Sequence, residues 1–182
     1  MRKVYYYLFI VTVIFGSCSK DEDKQKIEGE VILSSEKVKQ GSEYNTIGFS
    51  FEKGENVPYP ITTDAIPDLV VTHFVDLEDN LIVTFTSPNN QEAFYLNQTF
   101  SSASEAQTWY DNYYEAIESG YVSLANEIKI NQVWTVQTIN KKYAKLLIKK
   151  IQLLNDSPVA DYVEVTAYYK YQPDGTRIFD NK

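Results

Sequence analysis

The strongest constraint on the fold is a strict alternation of apolar and polar side chains near the C-terminus. Successive side chains of a β-strand point to opposite faces, so this pattern predicts a long strand with one apolar face. The short connections around it favour a meander of antiparallel strands. The apolar face carries Val163, Val165, Ala167, Tyr169 and Tyr171, and the polar face carries Glu164, Thr166 and Lys170.

The same alternation predicts several shorter strands upstream. Residues 69–75 and 81–86 flank the polar patch 76–80 and form a predicted hairpin. Residues 132–139 and the segment beginning at Ala144 form another, with a change of parity past Lys150 that predicts a bulge. The stretch 55–67 holds three prolines, which lack the amide that a sheet needs, so we expect a loop or an edge there. Further short strands are predicted at residues 30–34, 46–51 and 93–96.

One amphipathic helix is predicted after residue 101. Ser102 and Glu105 form a capping box, in which each side chain satisfies an amide at the start of a helix. Gly120 is placed to end it. The predicted fold class is therefore α+β, mainly β, with an antiparallel sheet or meander and one helix packed on it. The apolar face of this helix is predicted to carry Ala106, Trp109, Tyr110, Tyr113 and Ile117.

The N-terminus reads as an export signal. Two basic residues, Arg2 and Lys3, precede an apolar run at 4–15, and small residues follow it. The run is shorter than the roughly 20 residues that span a bilayer. The sequence Phe15-Gly16-Ser17-Cys18 resembles a bacterial lipobox, which implies cleavage after residue 17 and lipidation of Cys18, the chain's single cysteine. The alternative is a plain signal peptide with an incidental cysteine.

An acidic cluster follows the cysteine. Residues 19–23 resemble the short export tag of surface-exposed lipoproteins of the Bacteroidetes, which implies an outer-membrane protein facing the cell surface. The alternatives are a disordered acidic tether, which is compatible with an export tag, and a periplasmic orientation. We expect residues 1–17 to be the signal peptide, 18–26 an acidic tether, and 27–182 one β-rich domain.

The C-terminal third resembles the HmuY-like lipoproteins of the same bacteria. A "T-x-x-G-K-Y-A-K-L" hairpin core is common in that family, and Lys141 stands here where the family usually has glycine. The resemblance covers about a third of the chain, in residues 133–151 and near the C-terminus. It implies a β-rich fold and haem held between two axial side chains. The matching residues are Thr138, Lys142, Tyr143, Ala144, Lys145 and Leu146.

The residues available as haem ligands are few. His73 is the only histidine, and the only methionine, Met1, leaves with the signal peptide. A haem site would need His73 with a tyrosine, or two copies sharing their His73 residues. We assign His73, Tyr169 and Tyr171 as candidate ligand-binding residues. The identity of the cofactor stays open, and haem is implied only by the resemblance. The alternative interpretation of His73 is that it is a hydrogen-bonded residue of its strand.

The net charge and the motifs limit the classes of function that the sequence predicts. The formal net charge of −8 disfavours nucleic-acid partners, which are held by clustered basic residues. No nucleophile motif of the G-x-S-x-G type is present, and the acidic pair Asp64 and Asp68 is a common occurrence in an acidic chain, so we expect no enzyme. The predicted function is a binding module for haem or another flat ligand. The alternative is an accessory lipoprotein that binds a partner protein of the outer membrane.

Overall fold

A computed structural model describes residues 26–59 and 66–179. Within them the chain forms two antiparallel sheets and one helix, which confirms the predicted α+β, mainly β class. The first sheet has the order β1-β11-β10-β9-β7, and the second has the order β2-β3-β5-β6-β8 with β4 also paired to β3. The elements are β1 Glu28–Ser34, β2 Lys37–Gln40, β3 Glu43–Ser50, β4 Glu55–Tyr59, β5 Leu69–Val75, β6 Leu81–Thr86, β7 Phe94–Thr99, α1 Ala103–Asn112, β8 Leu124–Ala125, β9 Gln132–Gln137, β10 Tyr143–Leu154 and β11 Tyr162–Gln172.

The main core lies between the two sheets. The first sheet contributes the apolar face of β11, including Tyr169 and Tyr171, which are 2% and 1% exposed. The second sheet covers this face with Phe49, Phe51 and Phe85. The alternation of β11 therefore has the predicted effect, because one of its faces is buried along the whole strand.

The helix packs on the outer face of the first sheet. Ser102 caps it, with its Oγ accepting a hydrogen bond from the backbone N–H of Glu105. Ala106 and Tyr110 are buried against Val133 and Leu147. The molecule thus has three layers, with the second sheet, the first sheet and the helix in that order.

The helix ends earlier than the sequence predicts. Its last residue is Asn112 and its C-cap is Tyr113, so the prediction that Gly120 ends it is wrong, and Ile117 lies outside the helix. The buried ammonium of Lys145 donates hydrogen bonds to the carbonyls of Tyr110 and Tyr113, which satisfies acceptors at the end of the helix. The chain can then turn away from the helix axis.

Three local predictions in the sheets are confirmed. The register of β10 against β11 shifts between Ile148 and Lys150, which is the predicted bulge. β5 and β6 form the predicted hairpin. Pro58 lies in β4, which is paired only to β3 within the described residues, so the proline-containing stretch does include an edge strand. Lys141 has φ 56°, the left-handed conformation that glycine adopts most easily.

Candidate functional site: an aromatic groove beside the helix

A groove of about 680 Å³ lies on the outer face of the first sheet, at the C-terminal end of the helix. We call it the aromatic groove. Its volume is within the range of small-molecule sites, and its lining combines aromatic rings with a few polar groups. The groove is lined by Tyr95, Asn97, Trp109, Asn112, residues 113–118 and Arg177.

Three separate parts of the chain build the groove. Tyr95 and Asn97 come from β7, where the register against β9 shifts between Leu96 and Gln98. Trp109 and Asn112 come from the end of the helix. Residues 114–118 follow the helix, and this segment is held by backbone pairing with residues 177–179.

The pairing of these two segments is short and reciprocal. The N–H of Ala116 donates to the carbonyl of Arg177 at 2.8 Å, and the N–H of Phe179 donates to the carbonyl of Tyr114 at 2.7 Å. Phe179 and Ala116 are both buried, in a small apolar cluster with Tyr143. The wall formed by residues 114–118 is therefore anchored by backbone hydrogen bonds and by its own core.

The rings of the groove are held in place by contacts with one another. Trp109 and Tyr113 are stacked, with centroids 4.6 Å apart, and the Tyr113 ring also lies 5.8 Å from Phe179. The Tyr113 hydroxyl is hydrogen-bonded to Thr135 Oγ1 at 2.9 Å, and burial raises its pKa. Tyr113 therefore stays uncharged at neutral pH. Asn97 Nδ2 donates to the same Thr135 oxygen at 2.9 Å.

The charges at the groove are largely compensated. Arg177 lies 3.0 Å from the carboxylate of Glu115 and 3.9 Å from that of Glu118. Two carboxylates against one guanidinium leave this cluster with a formal charge of −1. The described residues of the groove therefore offer no net positive charge to an anionic ligand.

A buried lysine of the first sheet positions the C-terminal end of the helix. Lys145 is 1% exposed, and its Nζ donates to the carbonyls of Tyr110 and Tyr113 at 2.6 and 2.8 Å. The ammonium also lies 4.5 Å from the centroid of the Tyr110 ring. Burial lowers the pKa of Lys145 to about 8. The strand residue Lys145 thereby ties the backbone of Tyr113, a wall of the groove, to the first sheet.

His73 lies in a different place, in a cavity of about 310 Å³. Its Nδ1 is hydrogen-bonded to Ser35 Oγ at 2.9 Å, and that oxygen accepts a hydrogen bond from the N–H of Val163 at 2.8 Å. His73 thus takes part in a link between β5 and the region where the chain passes from the first sheet to the second. Tyr162 and Asp161 also line this cavity.

The structure does not bring the three candidate ligand residues together. Tyr169 and Tyr171 are packed in the core between the sheets, and neither lines the cavity that contains His73. The Tyr169 hydroxyl donates to the carbonyl of Lys26 at 2.9 Å. Cys18 lies outside the described residues, as does Asp64.

The aromatic groove was only partly foreseeable from the sequence. The spacing of Trp109 and Tyr113 marks one face of a helix, and the pattern identified both residues. Tyr95, Asn97 and Arg177 were missed, because no local signal connects β7 or the C-terminal segment to the helix. The backbone pairing of residues 114–116 with 177–179 is a long-range contact that a single sequence does not show.

Asp68, the other half of the proposed acidic pair, has a structural role. Its Oδ2 accepts a hydrogen bond from the N–H of Phe51 at 2.9 Å, and burial raises its pKa to about 6. The nearby charge of Glu52 also raises this pKa, whereas the hydrogen bonds to Asp68 and the charge of Lys142 lower it.

The polar patch at 76–80 is held by hydrogen bonds within the patch, since Asp76 accepts from the N–H groups of Glu78 and Asn80.

The raised pKa of Asp68 predicts a pH-dependent stability. The folded chain holds a proton on this carboxyl up to about pH 6, whereas the unfolded chain loses it near its ordinary value of 3.8. Stability should therefore fall as the pH rises from about 4 to about 6, by at most about 3 kcal/mol. Asp68→Asn should lack this loss. Urea unfolding of both proteins at pH 4 and pH 7 measures the difference, and parallel pH profiles would contradict the assignment.

Comparison with known proteins does not assign the chain to a family. No protein-family model matches the chain, and no curated protein matches it. No helix within residues 26–59 and 66–179 has the length and apolar character needed to cross a membrane. In the same residues, no group of three or more His, Cys, Asp or Glu side chains is arranged to hold a metal ion.

Proposed function

We propose that the chain is a lipoprotein of the cell envelope, anchored to the outer membrane through Cys18, and that it acts as a non-catalytic binding module. Its ligand is a small molecule with flat ring surfaces, and the aromatic groove is its site. The observation that carries this proposal is a concave site of about 680 Å³ whose walls include Tyr95, Trp109 and Tyr113. Rings of this kind supply rigid contact area at low cost in conformational entropy.

The groove fits a binding role better than a catalytic one. The guanidinium of Arg177 is paired with Glu115 and Glu118, and the hydroxyl of Tyr113 is hydrogen-bonded to Thr135. Among the described residues, no histidine or cysteine lines it. The polar groups of the groove are thus suited to orienting a ligand.

A second candidate function is the docking of a partner protein. The tip of the β5–β6 hairpin exposes three large apolar side chains, with Phe74 and Val75 about half exposed and Leu77 fully exposed. Exposed apolar patches of this kind often mark protein contacts. This supports the alternative of an accessory lipoprotein that binds an outer-membrane partner.

Intrinsic fluorescence tests the proposed site. Trp134, the second tryptophan of the chain, is buried and donates to Gln132, so Trp109 is the one that reports on the groove. The purified protein is titrated with a panel of ring compounds that includes haem, a free nucleoside and soluble oligosaccharides. We expect saturable fluorescence changes with one class of compound, which Tyr114→Ala weakens by about tenfold and His73→Ala leaves unchanged.

Tyr44→Ala is the matched control for this titration. Tyr44 and Tyr114 are both exposed tyrosines, at 50% and 62%, but Tyr44 lies in β3 of the second sheet, away from the groove. Binding that is lost in His73→Ala and retained in Tyr114→Ala would move the site to the His73 cavity and refute the proposal. Absence of binding by every compound in the panel would favour the protein-docking function.

A further inference from the structure

We infer that the ligand of the aromatic groove is an uncharged, polyhydroxylated ring, that is, a neutral saccharide. This inference rests on the proposed function and names the class of ligand for the same site. It follows from the charge of the groove, the hydrogen-bonding capacity of its polar groups and the arrangement of its rings.

The charge argues against an anionic ligand. Among the described residues, Arg177 is the only cation that lines the groove, and it is already in contact with Glu115 and within ion-pair distance of Glu118. The chain as a whole has a formal charge of −8. An anionic ring compound, such as haem with its propionates, would meet a net negative cluster of described residues in which Arg177 is already paired.

The polar side chains of the groove have both donors and acceptors available for a ligand, and the acceptors predominate. The side-chain N–H groups of Asn97 and Asn112 donate to Thr135 and to the carbonyl of Thr108, which turns part of their donor capacity inward. Their amide oxygens accept no hydrogen bond from the described residues, and the carboxylates of Glu115 and Glu118 only accept. The ligand should therefore be rich in donors.

A hydroxyl group meets this requirement better than an ammonium group. The guanidinium of Arg177 has five N–H donors and needs acceptors, whereas the carboxylates beside it need donors. A hydroxyl both donates and accepts, so it can bond to all of them. An ammonium group can donate to the carboxylates but cannot accept from Arg177, so it would satisfy only part of the cluster.

The rings provide the complementary apolar surface. Trp109 and Tyr113 form a stacked pair, and Tyr114 lies at the rim, 62% exposed. A pyranose ring presents C–H groups on its faces and hydroxyls at its edge. It can therefore pack its faces on aromatic rings while its edge hydroxyls reach the amides and carboxylates.

The test is a glycan array probed with the purified full chain, followed by titration of a hit. We expect binding confined to neutral glycans, with an affinity for the hit that changes little between 50 and 500 mM NaCl, because a neutral ligand is not screened by salt. Tyr114→Ala should weaken it by about tenfold, equivalent to about 1.4 kcal/mol. Tyr44→Ala should leave it unchanged.

Each other outcome overturns the inference in a recognisable way. Binding of haem that Tyr114→Ala weakens, with no glycan bound, would keep the groove as a site and refute the saccharide. Binding of choline or of a polyamine in the groove would also keep the groove as a site, but it would refute the saccharide and indicate a cationic ligand. An array with only acidic glycans bound would refute the charge argument, and an array without any signal would refute the saccharide outright.

Discussion

Replacement of Tyr169 by alanine is expected to lower the free energy of unfolding by about 3–5 kcal/mol, as for other large aromatic side chains removed from a core. Tyr169 is 2% exposed, and its ring lies 5.0 Å from Phe49 and 6.0 Å from Phe51. Alanine would leave a cavity between the two sheets that the rigid strands on both sides could not close. Chemical denaturation followed by circular dichroism measures the loss.

Tyr169→Phe is the matched control. It keeps the ring and removes only the hydroxyl that donates to the carbonyl of Lys26, so we expect a loss of about 1 kcal/mol. This pair of variants also tests the sequence-based assignment of Tyr169 as a ligand residue. If Tyr169→Phe kept full stability and abolished ligand binding, the hydroxyl would have a binding role and not the structural one that its burial indicates.

Replacement of Lys145 by alanine is expected to lower the free energy of unfolding by about 2–4 kcal/mol. Two contributions add, namely the cavity left by a side chain that is 1% exposed and the loss of the donor to the carbonyls of Tyr110 and Tyr113. We also expect weaker ligand binding, because the backbone of Tyr113 would lose its tie to the first sheet. Denaturation and the fluorescence titration measure the two effects separately.

Lys145→Met separates packing from hydrogen bonding. Methionine retains most of the apolar stem but cannot donate to the helix end, so a smaller loss of stability with the same loss of ligand affinity is expected. Unchanged affinity in a folded Lys145→Met protein would show that the lysine does not position the groove.

The lowered pKa of Lys145 adds a pH signature to this variant. The folded chain releases this proton near pH 8, whereas the unfolded chain holds it to about 10.5. Between these values the unfolded state binds more protons, so the stability that Lys145 contributes rises with pH. The stability of the wild type relative to Lys145→Met should therefore increase from pH 8 to pH 10. A relative stability that decreases over this range would contradict the burial of the charged form.

The sheet that carries the groove was the most predictable part of the molecule. The strands β9, β10 and β11 were recognised from alternation alone, and so was the bulge in β10. Alternation is a local property that reports the burial of one strand face, as along β11, whereas β9 is buried on both faces and its alternation does not show the second layer. The helix start was equally local, since Ser102 caps it within three residues. Its end depends on Lys145, more than thirty residues away, and the pattern placed that end at Gly120.

The three candidate ligand residues show the limit of residue identity as a guide to a site. His73, Tyr169 and Tyr171 were grouped because of their chemistry, but β5 and the buried face of β11 place them in different environments. Tyrosine carries both a ring suited to a core and a hydroxyl suited to a ligand. Only the position of each tyrosine relative to the two sheets decides which property is used.

The sequence by itself determined the strand content, the helix start, the negative charge and the predictions at Cys18, because each of these is written in neighbouring residues or in composition. Tertiary structure alone decided that the strands form two sheets, that the helix stops at Asn112, and that Tyr95, Trp109 and Arg177 share one groove. The physical reason is that these features arise from contacts between segments far apart in the chain. Such contacts depend on how layers pack, and a local pattern of apolar and polar residues does not specify which layers meet.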